Sequence, residues 1–394
     1  MQATNGSAVS FRSRGRLIGC CMALALALAA VVFAPAVANA QAPPTTTYLA
    51  LGDSISFGYT AERFNIHFPT ESPSYFEEGV ANYFTKDLKK ATEVGKTIRL
   101  VNDACPGETS NGLIGENEAL GGSTSTEPST PPGEVQGPGD FHPCAYTFED
   151  HLPLHNGGYY NPETSQPVSQ LEEAITTLTK PVAHEVKAIT LNMGANDELA
   201  AIKECEKEVQ SEFESKGYSF QPKEPAPGGK VYALTGKEPE DKKIEFEAGK
   251  SCIAGKAIYV TIPRIVKNTE DVLEKLDTVG GYTGPIMLMG YYNPDTFVLE
   301  GTDPLQEHAN EELAKAASKF SNVTFANPFP VFNKGATEKA EQASICKYTE
   351  MCNPNVQVAG GSPAGKDGDI HPTVAGSHVL ARLINEAYLA NPAH

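Results

Sequence analysis

A serine that attacks a carbonyl needs a chain turn that exposes its hydroxyl, a base to take its proton, and donors for the negative charge that develops on the substrate oxygen. Ser54 suits the first requirement. The apolar run Tyr48-Leu-Ala-Leu51 leads straight into Gly52-Asp53-Ser54, and Gly52, Ser56 and Gly58 permit a tight exit from a strand. His371, within Asp369-Ile-His-Pro-Thr373, is the candidate base, because an imidazole titrating near ~6.5 can accept a proton and return it around neutral pH. Gly107, in Asn102-Asp-Ala-Cys-Pro-Gly-Glu-Thr109, and Asn196, in Gly194-Ala-Asn-Asp197, are the candidate oxyanion donors, together with the N–H of Ser54 itself. Gly107 has no side chain to crowd a substrate, and Asn196 offers a neutral donor that no carboxylate could replace. Each residue also has an ordinary use: Ser54 as a helix N-cap, Gly107 as a helix-start glycine, Asn196 as a turn or cap residue. Asp53 reads as structural, orienting the turn through backbone hydrogen bonds. His151 and His155 have a ligand-like spacing, but Pro153 between them spoils a helical pair.

The elements that must position these residues alternate in kind. Apolar strands are expected at 47–51, 98–102, 186–193, 286–291 and 323–326, and helices at 74–90, 168–179, 262–276, 304–320 and 374–389. Such alternation predicts a parallel sheet covered on both faces. In a sheet of this kind ligands sit beyond the carboxyl ends of the strands, and all four candidates fall there. Residues 121–139 are Ser, Thr, Pro and Gly with almost nothing apolar and are expected to form a mobile surface loop. Residues 206–249 form a charged, Gly/Pro-broken insertion, read as decoration or as a flank of the substrate mouth.

Ahead of the first strand, Arg12, Arg14 and Arg16 precede an apolar run over 17–34 that ends at Ala38-Asn-Ala40. Residues 1–40 are therefore expected to be a secretory signal peptide, residues 41–394 the folded domain, and the protein secreted and extracellular. An uncleaved anchor is the rival reading, against which the small-residue cleavage site argues. Losing three arginines and no acid takes the formal charge from −18 to −21, which disfavours nucleic acid and anionic membranes as partners. Of the eight cysteines, Cys20 and Cys21 leave with the leader. The six that remain, an even number in an exported chain, read as three disulfides. A zinc site is the alternative, but no CxxC pair exists to support it.

Ser54, Gly107, Asn196 and His371, in that order and each in its own local pattern, resemble the GDSL/SGNH hydrolase family from about Tyr48 to the C-terminal helix. The resemblance implies an α/β, single-domain, flavodoxin-like fold with a central parallel sheet of about five strands and helices on both faces. It implies a secreted serine hydrolase, an esterase or lipase, that cleaves carboxylic esters through an acyl-serine. A monomer is expected, with no cofactor, no metal and no stable membrane anchor, acting on a small-molecule or lipid ester. Similarity to secreted actinobacterial-type members, with proximity in sequence, pairs Cys105 with Cys144, Cys205 with Cys252, and Cys346 with Cys352. One departure stands out. Family members commonly carry Asp three positions before the histidine, and here that position is Gly368. Asp369 is preferred as the acid over Asp367, with the Gly368 carbonyl in a Ser-His dyad as a third arrangement. Carbohydrate acetyl esterase and phospholipase activities on the same site stay open, as does a catalytically inactive binding protein on this scaffold.

Overall fold

Side chains alternate between the two faces of a strand, and the runs Tyr48-Leu-Ala-Leu51 and Ile286-Met-Leu-Met289 are apolar at successive positions, so both faces of their sheet must be covered. A computed structural model describes residues 45–67, 73–91, 97–115, 169–180, 185–218, 220–222, 232–234, 239–294, 301–353, 357–358, 362–363 and 369–394. These belong to one compact unit, Pro43–His394. The expected leader, the expected loop at 121–139, Cys144, His151, His155, Asp367 and Gly368 lie outside the described residues.

Five strands, β1 (Thr45–Leu51), β2 (Thr97–Asn102), β3 (Val186–Leu191), β4 (Ile286–Met289) and β5 (Val323–Ala326), form one sheet in the order β2-β1-β3-β4-β5. Every pairing is parallel, which requires a crossover segment between successive strands. The helices are α1 (Ser54–Phe57), α2 (Ala61–His67), α3 (Val80–Ala91), α4 (Ser110–Ile114), α5 (Gln170–Thr179), α6 (Ala195–Ser215), α7 (Pro239–Lys256), α8 (Ile262–Thr278), α9 (Asp303–Ala317), α10 (Phe329–Phe332), α11 (Glu338–Tyr348) and α12 (Val374–Ala390). Two short two-stranded ribbons, Phe220–Pro222 with Tyr232–Leu234 and Gln357–Val358 with Ser362–Pro363, lie outside this sheet.

On one face Tyr48, Ala50, Ala188 and Met287 pack against Phe84 and Leu88 of α3 and Leu380, Ile384 and Tyr388 of α12. On the other, Leu49, Leu51, Ile189, Leu191 and Leu288 pack against Leu171 of α5, Val272 and Leu276 of α8 and Leu313 of α9. Each large apolar side chain removed from water contributes about 1.5–3 kcal/mol before the entropy of ordering is counted. The register brings the strand ends level, with Ala50 opposite Asn102 and Leu51 opposite Leu191. The chain order reverses at β1, between β2 and β3, and loops from all three strands leave the sheet together there.

Two expectations change in kind, beyond shifts of one to three residues at the ends of other elements. The helix expected over 74–90 is a 3-10 turn (Pro73–Phe76) followed by α3. The break falls at Gly79, whose backbone lies so close to Gly58 that a side chain on either would collide with the other. The two ends of the charged stretch 206–249 are helical, because α6 runs on to Ser215 and α7 starts at Pro239. The two helices are joined by the Cys205–Cys252 disulfide, and Val209 and Phe213 bury a small apolar cluster with Tyr218 and Ala248. Among the described residues no helix is long and apolar enough to cross a membrane.

Candidate active site

β1 ends at Leu51, and Gly52 turns the chain with φ 135°, a backbone angle that side chains rarely permit. A Cβ at Gly52 would also collide with Asn192. Asp53 then caps the single turn of α1, its carboxylate accepting from Ile55 N at 2.9 Å. The same carboxylate accepts from Asn192 Nδ2 at 2.7 Å and from the Tyr291 hydroxyl at 2.6 Å. Burial raises the Asp53 carboxyl above its ordinary value, against the hydrogen bonds from Tyr291, Ile55 and Asn192. Asn192 Oδ1 in turn receives the Ser56 hydroxyl. Asp53 is thus the hub of a buried polar network under the turn, and Ser54 emerges just past it at 8% exposure.

His371 reaches Ser54 from the far end of the chain. Its Nε2 lies 2.8 Å from Ser54 Oγ, and its Nδ1 faces Asp369 Oδ1 in a close contact. Asp369 Oδ1 also accepts the His371 backbone N–H at 3.1 Å, and Oδ2 accepts Ala61 N at 2.8 Å. Burial pushes the Asp369 carboxyl up, but the His371 ring and the hydrogen bonds from His371 and Ala61 outweigh it and hold the group below its ordinary value. The Tyr59 ring stands edge-on to the imidazole at 4.9 Å. The loop is moored from behind: His371 O accepts from Glu350 N at 2.9 Å, and Thr373 N donates to Tyr348 O at 2.9 Å. Thr373 caps α12, and the Cys346–Cys352 disulfide closes the turn on which the loop rests.

The oxyanion candidates form a second group. Gly107 has φ 84° in the loop after β2. Asn196, second residue of α6, is buried and donates through Nδ2 to the carbonyl of Glu108 at 2.8 Å. The loop is tied down further by Asp197, which accepts Ser110 N at 2.8 Å and Ser110 Oγ at 2.7 Å and meets Arg264 Nε at 3.4 Å. Gln170 joins this group to the nucleophile turn. Its amide accepts from Gly52 N at 2.9 Å and donates to Gly52 O at 2.8 Å and to Glu108 Oε2 at 2.9 Å.

The structure therefore brings Ser54, His371 and Asp369 into direct contact, and Gly107 with Asn196 to one loop bound to the same turn. Cys205 is bonded to Cys252 and Cys346 to Cys352. Cys105 is disulfide-bonded, and its expected partner Cys144 lies outside the described residues. Asn192, Tyr291, Gln170, Glu108 and Tyr59 escaped the sequence reading. Asn192 and Tyr291 fall inside the strands expected at 186–193 and 286–291, whereas β3 ends at Leu191 and β4 at Met289, which leaves both side chains just past the sheet.

No protein-family model matches the chain, and no curated protein matches it. Among solved structures it is similar to a lipase from a goat rumen metagenome, at 14% identity and TM-score 0.36, over 87% of this chain and 97% of that one. It is similar to a GDSL-like lipase from Parabacteroides merdae, at 13% identity and TM-score 0.39, over 87% of this chain and 95% of that one. It is also similar to an acetylxylan esterase from Geobacillus stearothermophilus, at 13% identity and TM-score 0.39, over 88% of this chain and 96% of that one. At these TM-scores the likenesses carry no weight of their own. The chain resembles the GDSL/SGNH hydrolase family through its own residues: the Ser54, Gly107, Asn196 and His371 blocks, set on a parallel sheet of order β2-β1-β3-β4-β5.

Proposed function

We propose that the protein is a serine hydrolase that cleaves carboxylic esters through an acyl-serine intermediate. The observation that carries this reading is the imidazole of His371 held between Ser54 Oγ, at 2.8 Å, and the Asp369 carboxylate. A hydroxyl attacks an ester only when a positioned base removes its proton during attack. His371 Nε2 takes that proton as Ser54 Oγ bonds to the carbonyl carbon, and Asp369 fixes the tautomer and stabilises the imidazolium. The N–H groups of Ser54 and Gly107 and the Asn196 amide are the natural donors to the oxyanion, where one donor is worth about 2.7–4 kcal/mol of barrier. As the tetrahedral species collapses, His371 returns the proton to the leaving alcohol. Water, activated by the same imidazole, then releases the acid and restores Ser54.

The strongly acidic composition favours neutral esters over anionic ones. Secretion follows from the expected leader, and an esterase or lipase outside the cell is the reading it supports. The test is a panel of esters from acetyl to long-chain acyl, with phospholipids and acetylated glycans, on wild type and Ser54→Ala. Turnover of neutral esters that falls by about 10³-fold or more in Ser54→Ala is expected. Activity confined to acetylated glycans or to phospholipids would move the substrate class and keep the mechanism. Equal turnover by both proteins, or none by wild type, would remove the enzyme reading.

A further inference from the structure

We propose that Glu108 and Gln170 are positioning residues, a buried clamp that sets the oxyanion loop against the nucleophile turn and works only while Glu108 keeps its proton. The inference rests on the ester-hydrolase reading and concerns residues outside its catalytic set. Both side chains are fully buried. Gln170 follows Ser169, whose capping box with Glu172 fixes the start of α5. From there the amide binds both backbone groups of Gly52, as a neighbouring strand would, and spends its remaining N–H on Glu108 Oε2. Glu108 accepts Asn196 Nδ2 through its carbonyl and donates its own N–H to Cys105 O at 3.2 Å. The two side chains thus link the turn after β1 to the loop after β2, and the main-chain carbonyl of Glu108 adds the start of α6, after β3.

The charge state of the clamp follows from its surroundings. Glu108 Oε1 has no hydrogen-bond partner among the described residues. Among the described residues the charged groups that face Glu108 are Asp53 from the turn after β1 and Asp197 from α6, the latter paired with Arg264 of α8. Gln170 brings no charge from α5. Burial raises the Glu108 carboxyl to about 8, and the bonds from Gln170 and from the Thr109 backbone only partly offset this. Burial, the partnerless Oε1 and the neighbouring carboxyls of Asp53 and Asp197 thus favour the neutral acid at neutral pH. Ionising it would bury an uncompensated charge beside two further carboxyl groups, one residue from Gly107, where the proposed transition state gathers negative charge of its own. Turnover should then fall as pH rises through the Glu108 titration.

The test is kcat and KM for a short-chain neutral ester, corrected for spontaneous hydrolysis, from pH 6.5 to 9.5. Wild type is expected to lose at least tenfold in kcat with a midpoint near about 8 and with KM unchanged. Glu108→Gln, which keeps the shape and an acceptor oxygen but cannot ionise, should retain a kcat ratio between pH 9.5 and pH 7 at least fivefold higher than that of wild type. Should Glu108→Gln fail to fold, Gln170→Met asks the same question of the other half of the clamp, and a tenfold fall in kcat with KM held is expected. A wild-type profile flat to pH 9.5 overturns the inference. So does the same alkaline fall in Glu108→Gln, or a Gln170→Met kcat within twofold of wild type. A wild type that neither hydrolyses esters nor reacts with a fluorophosphonate would instead remove the ester-hydrolase reading, and the proposed role with it.

Discussion

The carboxylate that meets the His371 ring lies only two positions upstream. Asp369 Oδ1 reaches forward to the backbone N–H of His371 and to its ring together, so one local turn fixes both the loop and the tautomer. The other oxygen spans 308 residues of sequence to Ala61 N, which ties this acid to the segment just after Ser54. Asp369 is the acid preferred over Asp367 from the sequence; what no sequence pattern contained was the anchoring by Ala61. Asp369→Asn should keep the fold and lower kcat by about 10²–10⁴-fold, since an amide can hold the ring in the wrong tautomer and cannot stabilise imidazolium. Steady-state kinetics on an acetyl ester would show this, and a kcat within threefold of wild type would shift the role to a main-chain carbonyl. Ser54, Gly107, Asn196 and His371 were legible because each carries a short local pattern. Asn192, Tyr291 and Gln170 were not, because their partners lie 139, 238 and 118 residues away and no spacing encodes the meeting.

Elements were most legible where their apolar period was strong. The strand at Val323–Ala326 lies just where the apolar run predicts it, and α12 differs from its expected 374–389 by one residue. The α6 and α7 pair was not, because charged residues on the water-facing sides of both helices hid a thin apolar stripe of Val209 and Phe213. A lysine bridge reinforces that pairing, Lys256 Nζ meeting Glu204 at 2.8 Å and Glu208 at 2.9 Å. Such partly exposed pairs add little, so the covalent link at Cys205 and Cys252, 47 residues apart, should matter more. Replacing both cysteines with serine is expected to cost about 2–4 kcal/mol in the loosening of this pair. The α6 end that carries Asn196 is bound separately through Glu108 and Asp197, so ester turnover at 25 °C should stay within threefold of wild type. Hydrogen exchange across α6 and α7, with kinetics alongside, checks both halves. A loss of turnover in step with the loss of protection would show that the pair supports the site.

At the scale of the whole molecule the account is about convergence. A sheet of order β2-β1-β3-β4-β5 opens at the ends of β1 and β3, and the residues there come from positions spread over more than three hundred. The fold class was legible from alternation, since strands apolar on both faces have few other ways to be buried. The exact meeting of the loops was not, because it depends on buried polar bonds among Asp53, Asn192, Gln170 and Glu108, each costly to leave unmade. Together they hold Ser54 Oγ 2.8 Å from the His371 ring. The most direct test is reaction of the folded protein with a fluorophosphonate, followed by peptide mapping of the adduct. A single adduct on Ser54, lost in Ser54→Ala and slowed at least a hundredfold in His371→Ala, is the expected result. An adduct on another residue, or a Ser54 adduct that forms equally fast without His371, would contradict the claim that this serine and this imidazole form one site.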